Sequence, residues 1–229
     1  QERPEVCAQK LAQYIDQNNT VSLAHVFQHS IHHYCLREWL ALANPALAQS
    51  IQIKTLAPPY MVEALKNHLI DGFCVGEPWN TQAELQGFSH IVCASQDIIP
   101  NVADKVLAVT EEWAQLHPHT LIALTHALLK AQQELRELED FAPVWQLLSE
   151  FEIIQFDCSS EIHVEKYFNI QNIIRNFVKD NAEPKATDFE WLFQQMQKWN
   201  HAPTHLTKAH QPGLNCVLLG HYHSAYQAL

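Results

Sequence analysis

Between residues 20 and 76, short apolar runs alternate with stretches of helical periodicity. That alternation limits the possible folds more than any other feature of the chain. "TVSLAHVF" (20–27) is β-rich and reads as a buried strand. After it, Tyr34, Leu36, Trp39, Leu40 and Leu42 fall on roughly one helical side, with Ser30 placed as an N-cap. "SIQIKTLA" (50–57) alternates as a strand does, Pro58-Pro59 punctuates it, and "YMVEALKNHLI" reads as an amphipathic helix. "GFCV" is a short apolar strand. Strand, helix, strand, helix, strand is the pattern of a parallel sheet covered by helices. A helix over 5–17 precedes it, and "HIVCAS" (90–95) and "DKVLAVT" (104–110) read as two further strands.

Beyond residue 110 the character changes. "EEWAQLHPHTLIALTHALLKAQQELRELED" reads as helix interrupted at Pro118. "APVWQLLSEF", "VEKYFNIQNIIRNFVKD" and "DFEWLFQQMQKWN" continue as helices, and the histidine-rich stretch from Ala202 reads as irregular.

The balance of charge excludes some functions. With 14 Lys+Arg against 25 Asp+Glu the net charge is -11, and no basic run exists, so direct nucleic-acid binding is not expected. No window holds the ~18 apolar residues that a membrane span needs. The six cysteines (Cys7, Cys35, Cys74, Cys93, Cys158, Cys216) form no CxxC pair and read as mostly buried thiols, which favours a reducing compartment. No GxSxG or Ser/His/Asp arrangement points to an enzyme. The chain opens on Gln1-Glu2-Arg3-Pro4 with no leader pattern, so it reads as a processed chain or a fragment.

Three stretches carry candidate chemistry. In "DGFCVGEPWN", residues 71–80, a strand ends on Gly76, Glu77, Pro78 and Trp79. In an open α/β sheet, ligands bind outside the carboxyl ends of the strands. Gly76 would allow a tight turn, and Glu77 and Trp79 would form a wall at the mouth of a cleft. The alternative is a buried Trp79 anchor and a Glu77 charge at a helix N-terminus. A carboxylate beside a bound anion would repel it, so Glu77 is expected to point away from one, toward a helix end. In "HVFQHSIHHYCLREW", a strand, a polar turn and a helix follow one another. His29, Ser30 and Ile31 would present backbone N–H groups to an anion where the helix begins, with His29 or His32 adding a side-chain donor. His29, His32 and His33 also admit a metal reading, but no motif completes a ligand set, so no metal and no cofactor is expected. A solvated histidine turn is the third option. In "IIPNVADKVLAV", Lys105 is either a cation that holds an anion or a solvated charge.

Together, "HSIHHYCLREWLALA", "LAPPYMVEALKNHLIDGFCVGEPWN" and "DKVLAV" resemble the nitrate- and bicarbonate-type substrate-binding proteins of bacterial ABC importers. They are equally similar to the cytoplasmic nitrate sensor of nitrate-assimilation operons. The likeness runs from about Leu23 to about Trp199. It implies an α/β, periplasmic-binding-protein-like fold of type II, two lobes around a cleft, with the first lobe incomplete. On this reading 1–22 is a leading helix, 23–103 the second lobe, 104–201 the return to the first lobe, and 202–229 a tail. The resemblance implies an oxyanion, nitrate or nitrite first, held by the turn His29, Ser30, Ile31, His32 and by Lys105. Where family members often carry threonine or serine, Ile31 stands, so one side-chain donor is missing. Bicarbonate-type members carry acidic residues and calcium near the Lys105 loop, and Asp104 is the nearest candidate. The partner would be an ABC permease for an importer, or a regulatory protein for a sensor. Bicarbonate or organic sulfonate binding, and an enzyme of thiamine-precursor synthesis, are the other readings that the likeness admits. The cysteine count leans the compartment toward the cytoplasm, with the periplasm as the alternative. The family's first half of the first lobe has no counterpart, so the chain as given is expected to bind nitrate weakly or not at all.

Overall fold

The structure is a computed structural model that describes residues 2–153, 168, 171, 172, 175, 183–202 and 216–229. The chain forms two compact units, one of Gln1–Asn101 with Ala142–Ile170 and one of Val102–Phe141 with Gln171–Leu229.

The first unit is built on a three-stranded parallel sheet in the order β2-β1-β3. The strands are β1 (Leu23–His25), β2 (Ile53–Thr55) and β3 (Gly72–Phe73), with Leu23 paired to both Ile53 and Gly72. Each connection crosses over through helices, as parallel strands require. After α1 (Pro4–Asp16) and β1 come α2 (Ile31–Ala41) and α3 (Pro45–Ser50), then β2, α4 (Pro58–Lys66) and β3, with α5 (Trp79–Leu85) following. Central β1 is buried along its whole length, whereas β2 at the edge is largely exposed. Ala24, Val62, Ala64, Leu65, Ile70 and Ala83 form the core on which α4 and α5 sit. The indole of Trp39 donates to the Pro4 carbonyl at 3.1 Å and ties α1 to α2.

Local chemistry explains the helix starts. Pro stands in the first turn of α1, α3 and α4, where its missing N–H has no intrahelical partner to lose. Ser30 caps α2 and Asn44 caps α3 through side-chain oxygens that accept first-turn amides.

The second unit is helical. It contains α6 (Glu111–Leu116), α7 (Pro118–Glu137), α9 (Ala186–Lys198) and α10 (Leu219–Tyr226); α8 (Ala142–Glu150) belongs to the first unit. The break expected at Pro118 is present, between α6 and α7. Leu129, Tyr222 and Ala225, with Ile122 against them, pack α10 onto α7.

Three readings need correction. Residues 90–95 and 104–110 form no strand. Val106 and Leu107 are exposed, and β-propensity without a neighbouring strand to pair with does not make one. The tail from Ala202 is not irregular throughout, because α10 lies within it. The helix expected over 164–180 falls mostly outside the described residues.

Candidate functional site

In the order β2-β1-β3, the chain leaves β1 toward β2 on one side, and β3 lies on the other. The carboxyl ends of β1 and β3 therefore flank the point where the strand order reverses. Open α/β sheets bind ligands in the crevice outside such a point. Two of the three candidate stretches begin there: "FQHSIH" follows β1, and "CVGEPW" follows β3.

The two stretches meet. A Cβ built on Gly76 would lie 3.6 Å from Nε2 of His32, so the bare glycine backbone faces the His32 imidazole. The tight-turn argument for Gly76 is corrected here. Among the described residues Gly87 is the glycine with positive φ, so Gly76 does not use glycine's special backbone freedom, and a Cβ there would meet His32 at ordinary contact distance.

The turn after β1 is fixed by Ser30. Its hydroxyl donates to the Phe27 carbonyl at 2.7 Å and accepts the His33 N–H at 3.2 Å. Its own N–H goes to Phe27 O at 3.0 Å. Ser30 is thus committed to shaping the helix start, and both of its donors are occupied. His29 is exposed, while Ile31 and His32 are half-buried. The N–H of Ile31, the first residue of α2, is a first-turn amide with no intrahelical acceptor. The first-turn amides, the positive end of an 11-residue helix and the imidazole of His32 converge at this turn.

On the other wall, the peptide bond between Glu77 and Pro78 is cis, and Trp79 opens α5. A carboxylate oxygen of Glu77 accepts the Thr81 N–H at 3.1 Å, so this carboxylate is spent on the start of α5. Burial pushes the Glu77 carboxyl up from its ordinary 4.5, and the Thr81 hydrogen bonds oppose that rise. Pro78 is buried and Trp79 half-buried, so the indole is not a fully enclosed anchor.

A carboxyl raised in the fold binds its proton more tightly there than in the unfolded chain, so its contribution to stability is lost as pH climbs through the raised value. Glu77→Gln keeps the acceptor oxygen and removes the charge. The variant should gain stability relative to the parent as pH rises above 4.5, with anion affinity unchanged. Denaturant unfolding at several pH values checks the sign.

Lys105 lies in the second unit, exposed and ion-paired to its neighbour Asp104. An exposed pair of this kind contributes about 0–1 kcal/mol and yields readily to another partner. Among the described residues no group of three or more His, Cys, Asp or Glu side chains is placed to hold a metal ion.

Sequence reasoning missed the polar chain behind the turn. His25, read only as part of an apolar strand, lies buried against His33, with their Nδ1 atoms 2.6 Å apart. The signal available was a histidine at the carboxyl end of a central strand, where a polar side chain needs a partner.

A model of the NMT1-like family matches residues 3–149. The chain is 32% identical over 192 residues to "Bicarbonate transport ATP-binding protein CmpC" of Synechocystis sp. (strain ATCC 27184 / PCC 6803 / Kazusa), an alignment that covers 80% of this chain and 28% of that protein. It is 30% identical over 205 residues to "Nitrate import ATP-binding protein NrtC" of the same organism, covering 84% of this chain and 30% of that one. It thus spans less than a third of the length of these relatives. The periplasmic nitrate-binding protein NrtA from Synechocystis PCC 6803 has the same fold, with a TM-score of 0.78 at 20% identity over 97% of this chain and 60% of that one. The fold is therefore periplasmic-binding-protein-like, an α/β architecture with a parallel sheet.

Proposed function

Since the chain belongs to the NMT1-like family, we propose that it binds a small oxyanion, nitrate or nitrite, as the substrate-binding part of an ABC import system. The observation that carries this reading is the meeting of His32, at the start of α2, with Gly76, after β3, outside the carboxyl ends of β1 and β3. A helix N-terminus supplies N–H donors and a positive dipole end, an imidazole stands beside it, and the Glu77 carboxylate is turned to another helix. Glu77, Pro78 and Trp79 form the opposite wall. Lys105 is a separate candidate cation, carried by the second unit.

The arrangement is that of a binder. It offers donors for an anion, and the relatives above are named for transport, import or binding. The importer reading is preferred to the sensor for the same reason, and an ABC permease is the partner it implies. The periplasm is the preferred compartment, because the structural neighbour is a periplasmic protein. No helix among the described residues is long and apolar enough to cross a membrane.

Bicarbonate is the second reading. The likeness to CmpC and the carboxylate of Asp104 beside Lys105 favour it. Weak or absent nitrate binding was the expectation from the sequence, but the crevice outside β1 and β3 lies wholly within the first unit, so calorimetric titration of the 229-residue protein with nitrate, nitrite, bicarbonate and chloride separates the readings. Nitrate at a hundredfold excess over its Kd should stabilise the protein by about 2.7 kcal/mol. The same gain with bicarbonate alone selects the second reading. Equal, chloride-like responses to all four sink both.

A further inference from the structure

A hydrogen-bonded chain crosses the first unit just behind the α2 turn. The Arg37 Nε–H donates to His33 Nε2 at 3.3 Å, the Nδ1 atoms of His33 and His25 face each other at 2.6 Å, and His25 Nε2 stands 3.0 Å from Thr55 Oγ1. Both rings are buried, with His25 3% and His33 1% exposed. The other arm of Arg37 is held by the Ala48 carbonyl and by Ile51 O at 3.0 Å.

The proton positions follow from one fact, that a guanidinium only donates. His33 Nε2 must accept from Arg37, so the His33 proton is on Nδ1. That proton is donated to His25 Nδ1, which must accept. The His25 proton is then on Nε2 and is donated to Thr55 Oγ1. Each ring nitrogen has one role, and both imidazoles are neutral.

We propose that Arg37 locks His25 and His33 into this single neutral arrangement, so that acid weakens the seating of α2 on β1 and β2 without charging either ring in the fold. A further proton on either ring has no place in the chain. On Nδ1 of His25 it sets two N–H groups face to face at 2.6 Å. On Nε2 of His33 it opposes the Arg37 N–H. One bond of the chain must break in either case.

Among the described residues, Arg37 and Tyr34 of α2 and Thr55 of β2 meet the couple. The Tyr34 ring stands edge-on to His33 at 5.4 Å, and burial pushes its phenol up to about 12, so it stays uncharged at any pH that titrates histidine. Burial lowers the Arg37 guanidinium from its ordinary value, and it remains a cation there. On β2, Lys54 sends its ammonium to the Leu69 carbonyl at 2.8 Å.

The sign of the effect is fixed. An unfolded histidine takes up a proton near pH ~6.5, and these two in the fold do not. Unfolding therefore takes up protons below that pH, and stability falls as pH drops. Between pH ~7.5 and ~5.5 each ring should raise the unfolding constant about tenfold, and the pair about a hundredfold. The acid response stands on the geometry alone, and only its consequence for anion affinity rests on the proposed function.

Ring nitrogen NMR on 15N-histidine-labelled protein decides the matter without any ligand. The expected result at pH ~7.5 is a proton on Nδ1 of His33 and on Nε2 of His25. Between that pH and ~5.5 both rings should hold their shifts. The opposite tautomers, or either ring titrating over that range, would overturn the proposal. Denaturant unfolding of the parent and of the His25→Gln/His33→Gln variant at both pH values gives the second measure. The parent's acid response should exceed the variant's by about a hundredfold in the unfolding constant, and equal responses would also overturn it.

Discussion

Leu40→Ala is expected to lower the stability of the first unit by about 2–5 kcal/mol, read from denaturant unfolding by tryptophan fluorescence. Leu40 is 1% exposed, on the same helix as buried Tyr34, Leu36 and Trp39. Its truncation removes apolar contacts and leaves a cavity, because packed surroundings relax only in part. The loss is a large share of the ~5–15 kcal/mol that holds a typical domain folded. It also bears on function, because α2 carries the candidate anion turn at its other end. An α2 that is no longer seated against β1 and α3 places the Ser30 turn less accurately, and anion affinity should fall with the folded fraction. A loss below about 1 kcal/mol would show that this face of α2 is not packed as described.

The first half of the fold was legible because its signals are local. A buried β-rich run, a serine cap and a helical stripe each predict their own element, and β1, α2, β2, α4 and β3 all stand where those signals put them. The same local reading failed at 90–95 and 104–110. Apolar, β-branched residues there lack a partner strand, and pairing is decided by distant residues that periodicity does not encode. The start of α5 was also hidden, because Pro78 and Trp79 look like a stop and turn out to stand where a helix begins.

The candidate site divides in the same way. The helix start at Ser30 could be read from residue types alone. That His32 would face Gly76 could not, because the contact depends on β3 lying beside β1 and not beyond β2. The coupling of His25 to His33 spans only eight residues, yet it too depends on how α2 folds back over β1. Nor could Ser30 be told from a ligand by type, since a cap and an anion donor use the same hydroxyl. Only the two hydrogen bonds of that hydroxyl assign it to the cap.

Ile31→Pro should weaken oxyanion binding about ten- to a hundredfold while leaving the helix in place. Ile31 is the first residue of α2, the one helical position where proline is favoured, because its fixed φ suits the helix and its missing N–H has no intrahelical acceptor. The residue before a proline must be extended, and Ser30 already is, with φ -81° and ψ 153°. The substitution therefore removes one N–H from the mouth of the β1–β3 crevice and strains nothing in the backbone. A hydrogen bond to a charged group contributes about 1.5–3 kcal/mol, which sets the expected loss of affinity. The half-buried Ile31 side chain is lost as well, so Ile31→Ala is the control: it removes similar packing and keeps the amide. Calorimetry with nitrate should show the proline variant binding at least about tenfold more weakly than the alanine variant, with equal helical content by circular dichroism. Equal affinities in the two variants would show that the anion does not rest on the start of α2, and the proposal that the turn of His29, Ile31 and His32 holds it would fall with that result.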